Sequence, residues 1–276
     1  MPREPRARAR RPTERTPRGG AARPKRQAGV PQGERLQRVL ARAGYGSRRS
    51  VEQLIVEARV RINGRVAELG NRVRADRDAV TVDGIPVPTD PGLRYLALNK
   101  PRGVTSTLRD RHAEVSLAEL IPAGEARVVP VGRLDRDSEG LMLLTNDGEL
   151  GHRLQHPTYG VEKEYLVEVA GDMPDRALRR LTDGVELEDG VARAVAARVV
   201  SRRPGRTAVR ITMAEGRKRE IRRMLAALDL RVDRLVRVRV GPVRLGRLAP
   251  GEVRPLSVDE VRDLYRVTGL EAARRG

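Results

Sequence analysis

Asp135 stands in a loop bounded by Gly132 and Gly140, between an apolar run at Val128–Val131 and a second at Leu141–Leu144. Such short apolar runs predict strands, and glycines at both ends let the backbone turn sharply. One carboxylate is thereby presented at the mouth of a sheet, on a loop held by rigid elements, where function concentrates. Asp137, two residues on, raises the paired-carboxylate chemistry of a glycosidase. Two positions in one loop leave the carboxyl separation unconstrained, and Asp137 is expected to face solvent. His152 and His156 have the spacing of a metal pair on a helix. No third ligand pattern accompanies them, so they read as packing or surface residues. The chain has no Cys, which excludes disulfides, thiolate zinc sites and a cysteine nucleophile.

Charge decides the class of partner. Lys and Arg number 56 against 37 Asp and Glu, a net +19, and such an excess calls for a polyanion. No segment combines basic charge with an apolar Trp or Phe face, so nucleic acid is favoured over a membrane surface. With no Phe and no Trp, base-stacking platforms are not expected, and RNA would be read through shape, phosphates and arginine planes. No run reaches a membrane span and no apolar signal region opens the chain. A cytoplasmic monomer is the expectation.

The elements that must position Asp135 fall into two parts, which 276 residues accommodate. Residues 1–33 are an Arg, Pro, Ala and Gly tract without hydrophobic period, expected to be disordered. It reads either as a basic arm that adds phosphate contacts or as a solvated tail without a role. Residues 34–90 form a small domain. Leu36, Val39, Leu40 and Ala43 share one helix face, Ser47 caps a second helix, and Val60 to Val66 alternates around Asn63-Gly64 as a hairpin. Arg35, Arg38, Arg42, Arg48, Arg49, Arg59, Arg61 and Arg65 all lie on this unit. A Pro-rich linker follows, then a domain over 94–268 and a tail over 269–276. Strands are predicted at Tyr95–Leu98, Val128–Val131, Leu141–Thr145, Glu164–Val169, Val195–Val200, Ala208–Met213 and Leu235–Val240. Helices are predicted at Pro174–Leu181, Glu220–Leu228 and Val258–Tyr265, the last opened by a Ser257/Glu260 capping box. Strands and helices do not alternate regularly, so the fold class is α+β with a mainly antiparallel sheet.

Four strings then carry a resemblance, in order along the chain. They are Asn99-Lys100-Pro101-Arg102-Gly103, Gly132-Arg133-Leu134-Asp135 through Gly140-Leu141-Met142-Leu143, Glu162-Lys163-Glu164-Tyr165-Leu166-Val167, and Glu215-Gly216-Arg217-Lys218-Arg219-Glu220-Ile221-Arg222-Arg223-Met224-Leu225. Together they resemble RNA pseudouridine synthases of the RsuA/RluB family. Ser47-Arg48-Arg49 and Val60-Arg61-Ile62-Asn63-Gly64 resemble the alpha-L RNA-binding fold of the ribosomal-protein-S-four type. The resemblance implies isomerisation of uridine to pseudouridine in ribosomal RNA or an assembling ribosomal subunit. It implies no metal and no cofactor.

The same resemblance assigns roles. Asp135 is the nucleophile, or drives formation of a glycal; the residues do not say which. Tyr165 stacks on the base and lies where a proton leaves. Arg222 forms an ion pair with Asp135, which keeps the carboxylate ionised against desolvation. Arg133 holds the everted nucleotide, and Met224 or Leu225 is the apolar contact beneath the base. Lys100 is a phosphate contact or a snorkelling strand-end lysine. Ser47, Arg48, Arg49, Arg35, Arg38, Arg61, Asn63, Arg217 and Lys218 are implied RNA contacts. The form of the Asp135 string looks more like enzymes of the large-subunit (23S) RNA than of the small-subunit (16S) RNA. A non-catalytic RNA-binding ribosome-assembly protein is the rival reading. A nuclease or glycosidase acting on RNA is a third.

Overall fold

The computed structural model describes residues 33–75, 77–107, 115–122 and 127–270. The basic tract before Gly33 and the last six positions lie outside the described residues, and with them the expectations of a disordered arm and a frayed end.

The N-terminal part closes a small core of its own. The helix Leu36–Arg42 buries Leu36, Val39 and Leu40. Ser47 caps the helix Arg48–Val56 by accepting a hydrogen bond from the Ser50 N–H, and Val51 and Ile55 point inward. Strands Val60–Ile62, Arg65–Val66, Val80–Val82 and Ile85–Pro86 form one sheet. Its tight turn uses Asn63 and Gly64, both at positive φ (50° and 79°), as a two-residue hairpin requires.

The larger part is built on a nine-stranded sheet among the described residues. In chain order its strands are β1 (Tyr95–Lys100), β2 (Val129–Val131), β3 (Glu139–Thr145), β4 (Lys163–Ala170), β5 (Ala196–Arg203), β6 (Arg206–Met213), β7 (Val232–Val240), β8 (Val243–Arg244) and β9 (Val253–Pro255). Across the sheet they run β5-β6-β4-β7-β3-β1-β9, with β8 beside β7 and β2 beside β3. All pairs are antiparallel except β7 with β3, where Val236 meets Glu139 and Arg237 meets Gly140. Both faces are covered. Leu96, Leu98, Met142 and Leu144 enter one apolar cluster, and Ala97, Leu141 and Leu143 enter another. That double burial is why Leu141 to Leu144 is continuously apolar rather than alternating.

Helices Asp175–Asp183, Glu220–Ala226 and Val258–Val267 stand where the sequence predicts them. A further helix, Gly148–Gln155, is capped by Asp147, and a hairpin pairs Val185–Leu187 with Gly190–Ala192.

Candidate active site

The loop from Gly132 to Ser138 joins two antiparallel strands, β2 and β3, and is pinned from several sides. Leu134 is buried in the main core. The Leu134 N–H donates to Ser106 Oγ at 3.0 Å and Ser106 Oγ donates to the Leu134 carbonyl at 2.5 Å, so one buried hydroxyl fixes the backbone just before Asp135. The Ser138 N–H donates to the Asp135 carbonyl at 3.0 Å and closes a tight turn. From the segment after β1, the Gly103 N–H donates to the Arg136 carbonyl at 2.8 Å. Lys100 Nζ donates to the carbonyls of Pro101 (3.0 Å) and Ser138 (2.8 Å).

This loop forms one wall of a cavity of about 780 Å³. Asp135 and the exposed Arg133 line it, with Tyr165 and Lys163 from β4, Arg237 from β7, and Ile221 and Glu220 from the helix Glu220–Ala226. Tyr165 is 9% exposed and belongs to the main core. A phenol ring that is seated in an apolar layer and lines the cavity is suited to pack against a flat heterocycle.

The expected Asp135–Arg222 ion pair is corrected: Arg222 pairs with Asp137. Its Nη2 lies 3.3 Å from Asp137 Oδ2 and donates to the Asp137 carbonyl at 3.1 Å. Arg219 adds a fork of 3.2 and 3.3 Å to the same carboxylate. The reason is the turn that Ser138 closes on Asp135. It leaves Asp135 lining the cavity while Asp137 meets the first turn of the helix, where both guanidiniums sit. Arg219, in the left-handed conformation (φ 51°), opens that helix. Among the described residues no ion pair reaches Asp135, and Asp137 is not the free surface acid expected. Burial pushes the Asp137 carboxyl up, but the Arg219 hydrogen bonds and the charges of Arg222 and Arg219 outweigh it, and the carboxyl sits below its ordinary range.

Lys100 is also corrected, from phosphate contact to structural clamp, because its side chain is 0% exposed. Burial pushes its ammonium down to about 8, against the pull of Asp137, Glu139 and Asp135. Met224 and Leu225 are fully buried core residues; Ile221, one turn earlier, is the apolar side chain of this helix that lines the cavity. Arg217 is engaged. Its Nε lies 2.9 Å from Glu215 and its Nη atoms donate to the carbonyls of Asp189, Gly190 and Val191. It thus ties the Val185–Ala192 hairpin to the cavity. Lys218 is exposed and lines the cavity.

In the N-terminal part, Arg35, Arg38, Ser47, Arg48, Arg49, Arg61 and Asn63 are exposed, but both polar atoms of Asn63 are engaged within the chain. Its Nδ2 donates to Asp78 (3.0 Å) and its Oδ1 accepts from the Ala79 N–H (2.9 Å), so it fixes the hairpin rather than reaching outward. His152 and His156 pack against one another at a tilt and edge-on with Tyr159, and among the described residues no cluster of three or more ligand-type side chains exists.

Sequence reasoning gave no role to Lys163, Ser106, Glu220 or Arg237. Lys163 and Glu220 stand inside recognised strings and Ser106 shortly after one, and period-two alternation puts Lys163 on the face of Tyr165. Arg237 lies among alternating Arg and Val in β7, where nothing marks one arginine as buried.

Comparison with known proteins gives a consistent result. Residues 94–227 match the RNA pseudouridylate synthase family and residues 34–78 match the S4 domain family. A Mycobacterium leprae protein described as an uncharacterized RNA pseudouridine synthase is 49% identical over 240 residues, covering 86% of this chain and 94% of that one. The ribosomal large subunit pseudouridine synthase B of Bacillus subtilis is 38% identical over 84% of this chain and 95% of its own length. The crystal structure of a pseudouridylate synthase superposes with a TM-score of 0.57 at 28% identity, covering 83% of this chain and 99% of that one.

Proposed function

The chain belongs to the RNA pseudouridylate synthase family, with an S4 domain in front, and from that premise we propose that it converts a specific uridine of large-subunit ribosomal RNA to pseudouridine. The observation that carries the reading is Asp135 held on a clamped loop in the same cavity as Tyr165. Asp135 acts on the ribose, as nucleophile at C1′ or as the charge that drives glycal formation. Tyr165 packs against the ring and stands where the C5 proton leaves. The target nucleotide must be extruded to reach the loop, at a cost of a few kcal/mol. Arg133 and Lys218 at the cavity mouth and the exposed arginines of the S4 domain, Arg48 and Arg49 foremost, offset that cost through phosphate contacts. The large-subunit assignment draws on the Bacillus subtilis relative and on the form of the Asp135 string.

Incubation with a transcript of the source organism's large-subunit ribosomal RNA, followed by carbodiimide primer extension, tests this. One new stop is expected, and Asp135→Ala abolishes it. No stop with the wild-type chain, or one that survives Asp135→Ala, ends the proposal. Strand scission or free uracil would favour a nuclease or glycosidase.

A further inference from the structure

Arg237 is a buried cation with too few partners. It is 4% exposed, and its Nε donates to the Leu141 carbonyl at 2.7 Å. Its Nη2 is sealed from solvent without a hydrogen bond, and among the described residues no carboxylate pairs with the guanidinium. Burying a charge this way is costly unless something else satisfies it. The side chain lines the Asp135 cavity. Its position there is set by register: Arg237 lies directly across from Tyr165 in the β4–β7 pair, so the two side chains share a face. Lys163 precedes Tyr165 by two residues on that face and also lines the cavity. Glu220 lines it too, with a buried Oε1 that has no hydrogen-bond partner. Burial lowers the Lys163 pKa, the Arg237 charge lowers it further, and Glu220 opposes both. The floor beside Tyr165 is therefore positive, while the wall carries Asp135.

We propose that Arg237 donates a hydrogen bond to a carbonyl oxygen of the target uracil and stabilises the ring as it becomes anionic. This rests on the pseudouridine synthase reading. On the nucleophilic route the C1′–N1 bond breaks with its electron pair staying on the ring, and a carboxylate oxygen of Asp135 bonds to C1′. On the glycal route a C2′ proton is lost instead. Either way one negative charge spreads over the ring nitrogen and the two carbonyl oxygens. When C5 bonds to C1′, the carboxylate departs with its electrons, or the glycal regains its proton at C2′. The C5 proton then leaves and N1 takes one up, so the net change is an isomerisation. A fixed N–H aimed at developing charge costs no reorganisation during the reaction. It also favours a base with an oxygen acceptor there over one with an amino group.

Two measurements test it, both followed by nucleoside chromatography on the mapped RNA site. Arg237→Met lowers the single-turnover rate at saturating RNA by about 100–1,000-fold, the scale for one oxyanion donor, with RNA affinity and melting temperature retained. Arg237→Lys recovers part of the rate. Independently of any folding defect, RNA carrying 2-thiouridine or 4-thiouridine at the target replaces one carbonyl oxygen by a poor acceptor. One of the two slows the wild-type protein and has no further effect on Arg237→Met, which has no donor left to lose. Equal thio effects in both proteins overturn the inference, as does an unchanged rate in the variants. A loss confined to affinity, with a salt slope shallower by about one, would make the ligand a phosphate and overturn it as well. An inactive wild-type chain overturns the isomerase reading together with this inference, whereas an active wild type with equally active variants overturns this inference alone.

Discussion

Lys100 is a fully buried ammonium whose described hydrogen bonds go to two backbone carbonyls, of Pro101 and Ser138. Desolvation lowers its pKa from 10.5 to about 8. Below pH 8 the lysine is protonated in both folded and unfolded chains, and the folded state bears the burial cost, about 3 kcal/mol from the size of the shift. Between about 8 and 10.5 the unfolded chain binds more protons, so stability from this group rises with pH and levels off above 10.5. Lys100→Met removes this limb: denaturant unfolding between pH 8 and 10.5 should show a flatter profile than the wild type, and equal slopes would contradict the assignment. The variant also loses the tie to the Ser138 carbonyl, so activity should fall even where the fold persists. Asp137→Asn probes the opposite charge. It leaves Arg219 and Arg222 without their carboxylate, at about 1–2 kcal/mol, since the site is a third exposed and screening reduces the fully buried figure. Thermal melting measures that loss. Asp135 and Tyr165, which the resemblance puts in one site, line one cavity, and Arg222 meets the same loop at Asp137. The sequence could not separate Asp135 from Asp137 as the partner of Arg222, because two carboxylates two residues apart are distinguished only by how the turn is closed.

At the level of elements, the site depends on where β3 and β7 touch. Gly140 (φ 105°) faces the backbone of Arg237, and a Cβ there would stand 2.3 Å from the Arg237 carbonyl oxygen and 2.7 Å from its nitrogen. Backbone atoms cannot swing aside, so the parallel contact of these strands requires glycine. Gly140→Ala combines that clash with an unfavourable φ, and should cost about 3 kcal/mol or more. It should also lower activity in whatever fraction still folds, because β3 leads out of the Asp135 loop and β7 carries Arg237. A melting temperature within a degree or two of the wild type would show that the strands separate without penalty. The elements that the sequence revealed carry a strong local signal: the seven predicted strands each fall within or beside an observed one, and the capping box at Ser257 and Glu260 is present. The helix Gly148–Gln155 was hidden because two of its eight residues are glycine. Its start is fixed by tertiary contact, since Asp147 caps it and also accepts the hydroxyl protons of Tyr95 and Tyr265. The parallel β3–β7 pair was equally invisible: pairing between residues 97 apart in the chain, as Val236 with Glu139, leaves no mark in local periodicity.

Over the whole molecule the charge of +19 must be apportioned between holding RNA and reacting with it. Arg48 and Arg49 open the second S4 helix, exposed and without a carboxylate partner among the described residues. On the proposed reading they bind phosphates that do not change as the glycosidic bond breaks, so they should hold substrate and transition state alike and act on affinity rather than on the chemical step. The S4 domain nevertheless touches the catalytic part. Gly44, which sequence alone marks only as a helix break, abuts Val258 so closely that a Cβ would lie 2.4 Å from its Cγ2. On that reading, RNA held at Arg48 and Arg49 would be carried on a part of the chain that packs against the helix Val258–Val267. Replacing both arginines by alanine should weaken RNA binding and reduce the slope of log K against log salt by about 0.7–0.9 for each phosphate that is no longer neutralised. The single-turnover rate at saturating RNA should stay at the wild-type value. A fall in that saturated rate would mean that these side chains help bring the uridine to Asp135, and an unchanged salt slope would mean that they touch no phosphate.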